Sequence, residues 1–287
     1  MIWELRLKLE RTYEEIVEDF LSGEGSMGVS MAVDGTSAIV TGFFAEDVDR
    51  SGLEIRFRLI LAAAGVELES GDLTWKLLPD CDWGEAWKAY YQPVPVGRRL
   101  LILPSWQDPP LGHGRLVIRM DPEMAFGSGT HATTQGCLEL LEETAETRPL
   151  GQVLDMGSGS GILSIGAVLL GAEGVMATDL DPIAVETTGR NCQLNGMGDR
   201  VKVVEASEVP PGPFQTIVAN ILARILMESA CALVSALAGS GRLILSGILK
   251  EQAREVQMAF EGEGVKLVEM RLMGEEWVVL VLDKEMS

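Results

Sequence analysis

Apolar and polar side chains alternate along the first ten residues, with Trp3, Leu5, Leu7 and Leu9 on one side and Glu4, Arg6, Lys8 and Glu10 on the other. A period of two is that of a half-buried strand. Thr12 with Glu15 has the spacing of a capping box and predicts a helix over 13–21, ending near Gly23. Two β-prone runs, 27–33 and 36–44, are joined by Asp34-Gly35, a pair that predicts a hairpin. A helix around 53–64 and a strand around 73–78 complete the order β-α-β-β-α-β. That order predicts a small ferredoxin-like α+β domain over residues 1–78.

The next stretch, 79–114, is dense in Trp, Tyr, Pro and Gly, with Trp83, Trp87, Tyr90, Tyr91 and Trp106 crowded into it. It reads as a connector packed on both neighbours, with a peptide-binding surface as the alternative. From residue 115 the rhythm becomes strand–helix alternation. Strands are expected at 152–155, 174–179, 201–205, 214–219 and 242–246, and helices at 161–170, 182–195, 221–237 and 250–262. Repeated βα units build a parallel sheet covered by helices on both faces. The last two runs, 265–273 and 276–282, are separated by too few residues for a crossover and must pair antiparallel. Residues 115–287 are therefore expected to form a mixed sheet with a reversed strand near one edge.

Composition narrows the function classes. The 287 residues are 47% hydrophobic and 23% charged, enough for one large domain or two unequal ones and unlike a disordered, collagenous or coiled-coil chain. Lys and Arg number 23 against 43 Asp and Glu, a formal net charge of −20. Such a balance disfavours direct nucleic-acid binding, which needs cations to neutralise phosphates. It suits a basic partner, or simple solubility. The four cysteines, Cys81, Cys137, Cys192 and Cys231, are widely spaced, and the histidines are His113 and His131 alone. They predict reduced, buried, structural thiols and no metal site. The chain begins without a signal-peptide plan, and its most apolar stretch, 162–172, is too short to span a bilayer. A cytoplasmic protein away from membranes is expected.

The segment richest in chemistry is Val153-Leu154-Asp155-Met156-Gly157-Ser158-Gly159-Ser160-Gly161-Ile162-Leu163, a strand, a glycine turn and a helix start. Glycines at such a turn let the backbone approach a ligand and adopt positive φ. A dinucleotide-binding loop has its third glycine five residues after the first, a position held here by Ile162. With glycines at 157, 159 and 161, the loop resembles instead the first motif of Rossmann-like S-adenosylmethionine-dependent methyltransferases. Val175 to Thr178 form an apolar run that ends at Asp179, 22 residues beyond Gly157. A carboxylate at the end of that strand can accept hydrogen bonds from both hydroxyls of a ribose. Asp181 before Pro182 reads as a helix N-cap with proline at the first helical position. Asn220 ends another apolar strand, where its position serves a ligand or a helix N-cap equally well.

Ahead of that sheet lies Asp121-Pro122-Glu123-Met124-Ala125-Phe126-Gly127-Ser128-Gly129-Thr130-His131-Ala132-Thr133-Thr134. With the glycine loop, Asn220-Ile221-Leu222-Ala223 and Leu245-Ser246-Gly247-Ile248-Leu249, it closely resembles the ribosomal large-subunit protein eleven methyltransferases (PrmA type). Asp82-Trp83-Gly84-Glu85-Ala86-Trp87-Lys88 and Pro104-Ser105-Trp106 are similar to that family's linker. The resemblance implies a Rossmann-like class I methyltransferase domain and S-adenosyl-L-methionine as cofactor. It matches Phe126, Gly127 and Thr134 to positions beside the cofactor's methionine portion. It matches Gly157, Gly159 and Gly161 to its glycine loop, Asp179 to its ribose strand, and Asn220 to its active site. Two positions depart from the pattern: Ala132 stands where proline is common, and Ser158 where Cys or Thr is common. The implied substrate is a basic ribosomal protein, recognised by residues 1–78, with lysine or N-terminal amines methylated.

Transfer of a methyl group from a sulfonium asks the protein to align, desolvate and accept protons. Asn220 is the expected orienting group, and no dedicated base is foreseen. His131 qualifies as a base by residue type, but a loop-positioning role suits it better. The rival readings are a nicotinamide-dependent reductase, a methyltransferase fold kept for assembly, and a methyltransferase with another protein substrate.

Overall fold

The computed structural model describes residues 2–34, 37–66, 68, 71–78, 93–120 and 131–285. The chain divides into two compact units, Met1–Gln92 and Pro93–Ser287.

In the first unit, β1 (Ile2–Glu10) leads through a 3-10 turn (Arg11–Tyr13) into α1 (Glu14–Gly23). There follow β2 (Gly28–Asp34), β3 (Ser37–Ala45), α2 (Arg50–Ala63) and β4 (Leu73–Leu78). The sheet order is β2-β3-β1-β4, with every neighbouring pair antiparallel, as a ferredoxin-like sandwich requires. Leu5, Leu7 and Leu9 are buried as their alternation predicts, against Val17, Phe20 and Leu21 of α1 and Leu53, Phe57 and Leu61 of α2. Phe20 and Phe57 stack at 4.8 Å between ring centroids, joining the two helices. The helix does not start at Thr12 as a capping box there requires: the 3-10 turn puts Tyr13 at the N-cap of α1, with no side-chain cap hydrogen bond from that residue. Helix α2 begins earlier than expected because Asp49 accepts a hydrogen bond from Gly52 N at 3.0 Å, a cap the apolar pattern does not reveal.

The second unit opens with β5 (Val94–Val96), β6 (Leu100–Pro104) and β7 (Leu116–Met120), a three-stranded sheet of its own. Residues 94–104 fall in the stretch read as a connector. They form strands because Val96, Leu100 and Ile102 are buried in the same core as Ile118 and Leu138. After α3 (Ala132–Thr147) the alternation runs β8 (Gln152–Met156), α4 (Ile162–Leu169), β9 (Gly174–Asp179), α5 (Pro182–Leu194), β10 (Val201–Glu205) and β11 (Phe214–Asn220). Then come α6 (Ala223–Glu228), α7 (Ala230–Ala236), β12 (Leu237–Leu249), α8 (Ala253–Glu261), β13 (Val265–Met273) and β14 (Trp277–Lys284). One long helix was expected over 221–237; the chain makes two short ones separated at Ser229.

The large sheet has the order β10-β9-β8-β11-β12-β14-β13, with β14 alone running antiparallel to both neighbours. This is the reversed strand, one place in from the edge. The order reverses between β8 and β11, whose carboxyl ends therefore open on the crevice where such sheets bind ligands. Two cores flank the sheet, one containing Leu138, Leu141, Ile162 and Ile165, the other Leu226, Leu233, Val256 and Phe260.

Candidate active site

Strand β8 ends at Met156, and the chain turns through Gly157, Gly159 and Gly161 with φ of 75°, 53° and 81°. All three lie in the left-handed region, where side chains with Cβ are strained. At Gly157 a Cβ would also stand 2.2 Å from Cγ2 of Ile221. The turn is held from two sides. Gly157 N and Ser158 N donate to Thr178 O at 2.8 and 3.0 Å. From α5, Thr188 Oγ1 donates to Gly159 O at 3.0 Å and Asn191 Nδ2 to Ser160 O at 2.8 Å, while Ser158 Oγ meets Thr188 Oγ1 at 3.0 Å. Neither Thr188 nor Asn191 belongs to a motif of the sequence. Their signal is nonetheless present: Ala184, Thr187, Thr188, Asn191 and Cys192 form the buried stripe of α5, polar where a core helix is usually aliphatic.

Asp179 ends β9 beside this turn. Its Oδ2 accepts from Gly159 N at 2.9 Å and its Oδ1 from Asp181 N at 3.0 Å. A carboxylate offers about four acceptor positions, so two remain for a ligand's hydroxyls. Asp181 caps α5 through Ile183 N at 2.9 Å, with Pro182 at the first helical position, the structural role its sequence suggests. Under the turn, Asp155 is fully buried; Ser164 Oγ donates to its Oδ2 at 2.6 Å and its Oδ1 has no partner. Burial raises its carboxyl to about 6, partly offset by the hydrogen bonds from Ser164, with Asp179 adding to the rise.

Asn220 ends β11. The N-cap alternative does not hold, because α6 starts three residues later, with Leu222 at its N-cap. The Asn220 Nδ2 group instead faces α3, 3.2 Å from Thr133 Oγ1 and 3.4 Å from Thr134 Oγ1. His131 caps α3: its Nδ1 accepts from Thr133 N at 3.3 Å and lies 2.7 Å from Thr133 Oγ1. Its ring meets Trp277 edge-on at 5.3 Å. The fold thus brings Thr134 to Asn220 and Gly159 to Asp179, and Ile221, the residue after Asn220, lies against Gly157. Phe126 and Gly127 lie outside the described residues.

Burial pushes the Cys137 and Cys192 thiols up to about 12, so neither supplies a thiolate near neutral pH. Cys231 is exposed, contrary to the expectation that every cysteine is buried, because it lies on the outer side of the short helix α7; Cys81 is outside the described residues. Among the described residues no His, Cys, Asp and Glu group could hold a metal ion, and no helix is long and apolar enough to cross a membrane. The crevice is therefore a site of glycine backbone, one partly exposed carboxylate and one oriented amide. It suits a ligand carrying paired hydroxyls beside an uncharged nitrogen that needs alignment.

The chain is similar to proteins of one family. A ribosomal protein L11 methyltransferase from Pelobacter propionicus is 46% identical over 204 residues, 70% of this chain and 66% of its own length, just under two thirds. One from Thermosynechococcus vestitus is 38% identical over 284 residues, 92% of this chain and 91% of its own. Among solved structures, a ribosomal protein L11 methylase from Lactobacillus delbrueckii subsp. bulgaricus aligns with a TM-score of 0.62 at 35% identity, covering 68% of this chain and 100% of that one. The family model described as ribosomal protein L11 methyltransferase (PrmA) matches residues 1–285, and with the reversed-strand sheet and its glycine turn this establishes that the chain belongs to that family.

Proposed function

We propose that this chain transfers methyl groups from S-adenosylmethionine to lysine or N-terminal amines of ribosomal protein L11. The observation that carries the reading is the bond from Gly159 N to Asp179 Oδ2, which ties the glycine turn to the carboxylate at the end of β9. The residues present fit the cofactor: a positive-φ glycine turn accommodates its amino-acid and sulfonium end without side chains. Asp179 keeps acceptor positions for a ribose diol. Bound S-adenosylmethionine supplies an already activated methyl group on sulfur, so the chain's own residues bind, orient and exclude water.

In this assignment Gly157, Gly159 and Gly161 cradle the methionine end and Asp179 holds the ribose. Thr134, Phe126 and Gly127 border the methionine portion, the last two by resemblance alone. Asn220 touches the amine: with Nδ2 turned to Thr133 and Thr134, its Oδ1 is the end presented to the nucleophile. Deprotonating a lysine at pH 7 costs about 4–5 kcal/mol, and a pocket poor in charge lowers that by disfavouring the ammonium. Residues 1–78 are assigned to recognition of the ribosomal protein, and the second unit, Pro93–Ser287, to methyl transfer.

The test is incubation of the purified chain with labelled S-adenosylmethionine and L11, followed by mass spectrometry of the product. L11 should gain methyl groups on amine nitrogens. Asp179→Ala should weaken cofactor binding about tenfold or more, the scale of a lost charge-assisted hydrogen-bond pair. Asn220→Ala should lower kcat more than it lowers cofactor affinity. Tight binding of a nicotinamide dinucleotide without response to S-adenosylmethionine overturns the reading, as does label that never leaves the cofactor.

A further inference from the structure

We infer that Thr133 is a positioning residue, which fixes through His131 the orientation of the Asn220 side-chain amide. A backbone N–H can only donate, so the hydrogen bond from Thr133 N requires the lone pair of His131 Nδ1. That nitrogen is thereby an acceptor, and the Thr133 hydroxyl, 2.7 Å away, sends it its single hydrogen. On its remaining side Thr133 Oγ1 can only accept. Asn220 therefore presents Nδ2 to it, at 3.2 Å, and the second hydrogen of the same group points to Thr134 Oγ1 at 3.4 Å. Both amide hydrogens are spent on α3, and Oδ1 is left as the end that faces away. A flipped amide would set Oδ1 against Thr133 Oγ1, an oxygen with no hydrogen left to give, so the 3.2 Å bond would be lost at a cost and only the longer contact with the Thr134 hydroxyl would remain.

The consequence rests on the proposed methyl transfer: an acceptor facing the nucleophile aligns the hydrogens of a neutral amine, whereas an outward NH2 group would compete for the lone pair that attacks. The helix N-cap and the reacting end of β11 are thus one hydrogen-bonded chain, running Asn220, Thr133, His131. Thr133 touches neither cofactor nor amine in this scheme.

Two measurements test it. In the cofactor-free chain labelled with 15N-asparagine, Asn220→Asp identifies the side-chain amide signals by their loss. Thr133→Val should speed the exchange of those protons with water several-fold, and Thr133→Ser should restore the slow exchange. In turnover, Thr133→Val should lower kcat about tenfold while the Kd for S-adenosylmethionine stays within about twofold, and Thr133→Ser should recover most of the loss. Amide exchange unchanged in Thr133→Val overturns the inference whatever the substrate. A kcat loss matched by an equal rise in cofactor Kd also overturns it, since that is the mark of a disturbed helix start. If L11 gains no methyl group but the exchange behaves as stated, the functional reading fails and the orientation of Asn220 stands.

Discussion

Asp155 is the residue whose environment has the plainest thermodynamic consequence. Its carboxyl, with Ser164 on one oxygen and nothing on the other, is raised by burial from 3.8 to about 6. The folded chain holds this proton more tightly than the unfolded chain does. Stability from this group is therefore fully present below about pH 4 and is lost as pH climbs through about 6. A rise from 3.8 to about 6 corresponds to about 3 kcal/mol. Replacing Asp155 by Asn removes the titration, so the gap between wild-type and variant stability should change by about that amount between pH 4 and pH 7, the variant gaining at the higher pH. Urea denaturation at a series of pH values checks this; parallel curves for the two proteins would show that Asp155 does not titrate in that range. Asp179, Asn220 and the three glycines could be read from the chain because each closes an apolar strand or fills a tight turn. Thr133 could not: a hydroxyl on a helix carries no period, and its partner lies 87 residues away.

At the scale of elements, α3 connects the site to the rest of its unit. Its first turn carries Thr133 and Thr134; farther along, buried Glu142 accepts from Arg98 N at 3.1 Å and from Arg99 N at 3.0 Å, fixing the turn between β5 and β6. Glu142→Gln keeps the shape but turns a donor toward backbone donors and removes the charge that strengthens both bonds. The unfolding free energy should fall by about 1–3 kcal/mol, read from the denaturation midpoint; an unchanged midpoint would mean the two amides find water instead. The run of Glu142 and Glu143 resembles an ordinary solvated helix face, and only the fold separates the buried carboxylate from its neighbour. The same limit explains the other misses. Strands β9, β10 and β13 coincide with their expected spans because apolar or alternating runs bounded by glycine or charge leave little choice. The three-residue β5 and five-residue β6 are too short for a period to register, and proline at both marks them as irregular. The break at Ser229 interrupts a run of good helix formers, and tertiary packing decides it.

Over the whole molecule the dominant quantity is the net charge of −20. For the proposed substrate, a member of a typically basic class, long-range attraction should speed encounter and be screened by salt. Raising sodium chloride from about 50 to about 500 mM should therefore lower kcat/KM for L11 several-fold while the KM for S-adenosylmethionine moves little. Equal salt sensitivity of both parameters would reduce the acidic surface to a solubility device. Placing the site at the carboxyl ends of β8, β9 and β11 needs no loop of unusual length, because the reversal in strand order already provides the crevice.

Ile221 gives this architecture an unexpected constraint. Its side chain occupies the space a methyl group would need at Gly157, and its carbonyl oxygen lies 2.3 Å from where one would stand at Gly247, which has a φ of 77°. Segments drawn from three distant stretches of sequence therefore meet at a single wedge. A bulkier residue at either glycine would press on this wedge, which is the chain neighbour of the Asn220 amide. A side chain at Gly157 would meet the Ile221 side chain, which a smaller residue there would relieve, whereas one at Gly247 would meet the Ile221 backbone, which no exchange at 221 removes, so the seat of the wedge rests above all on Gly247.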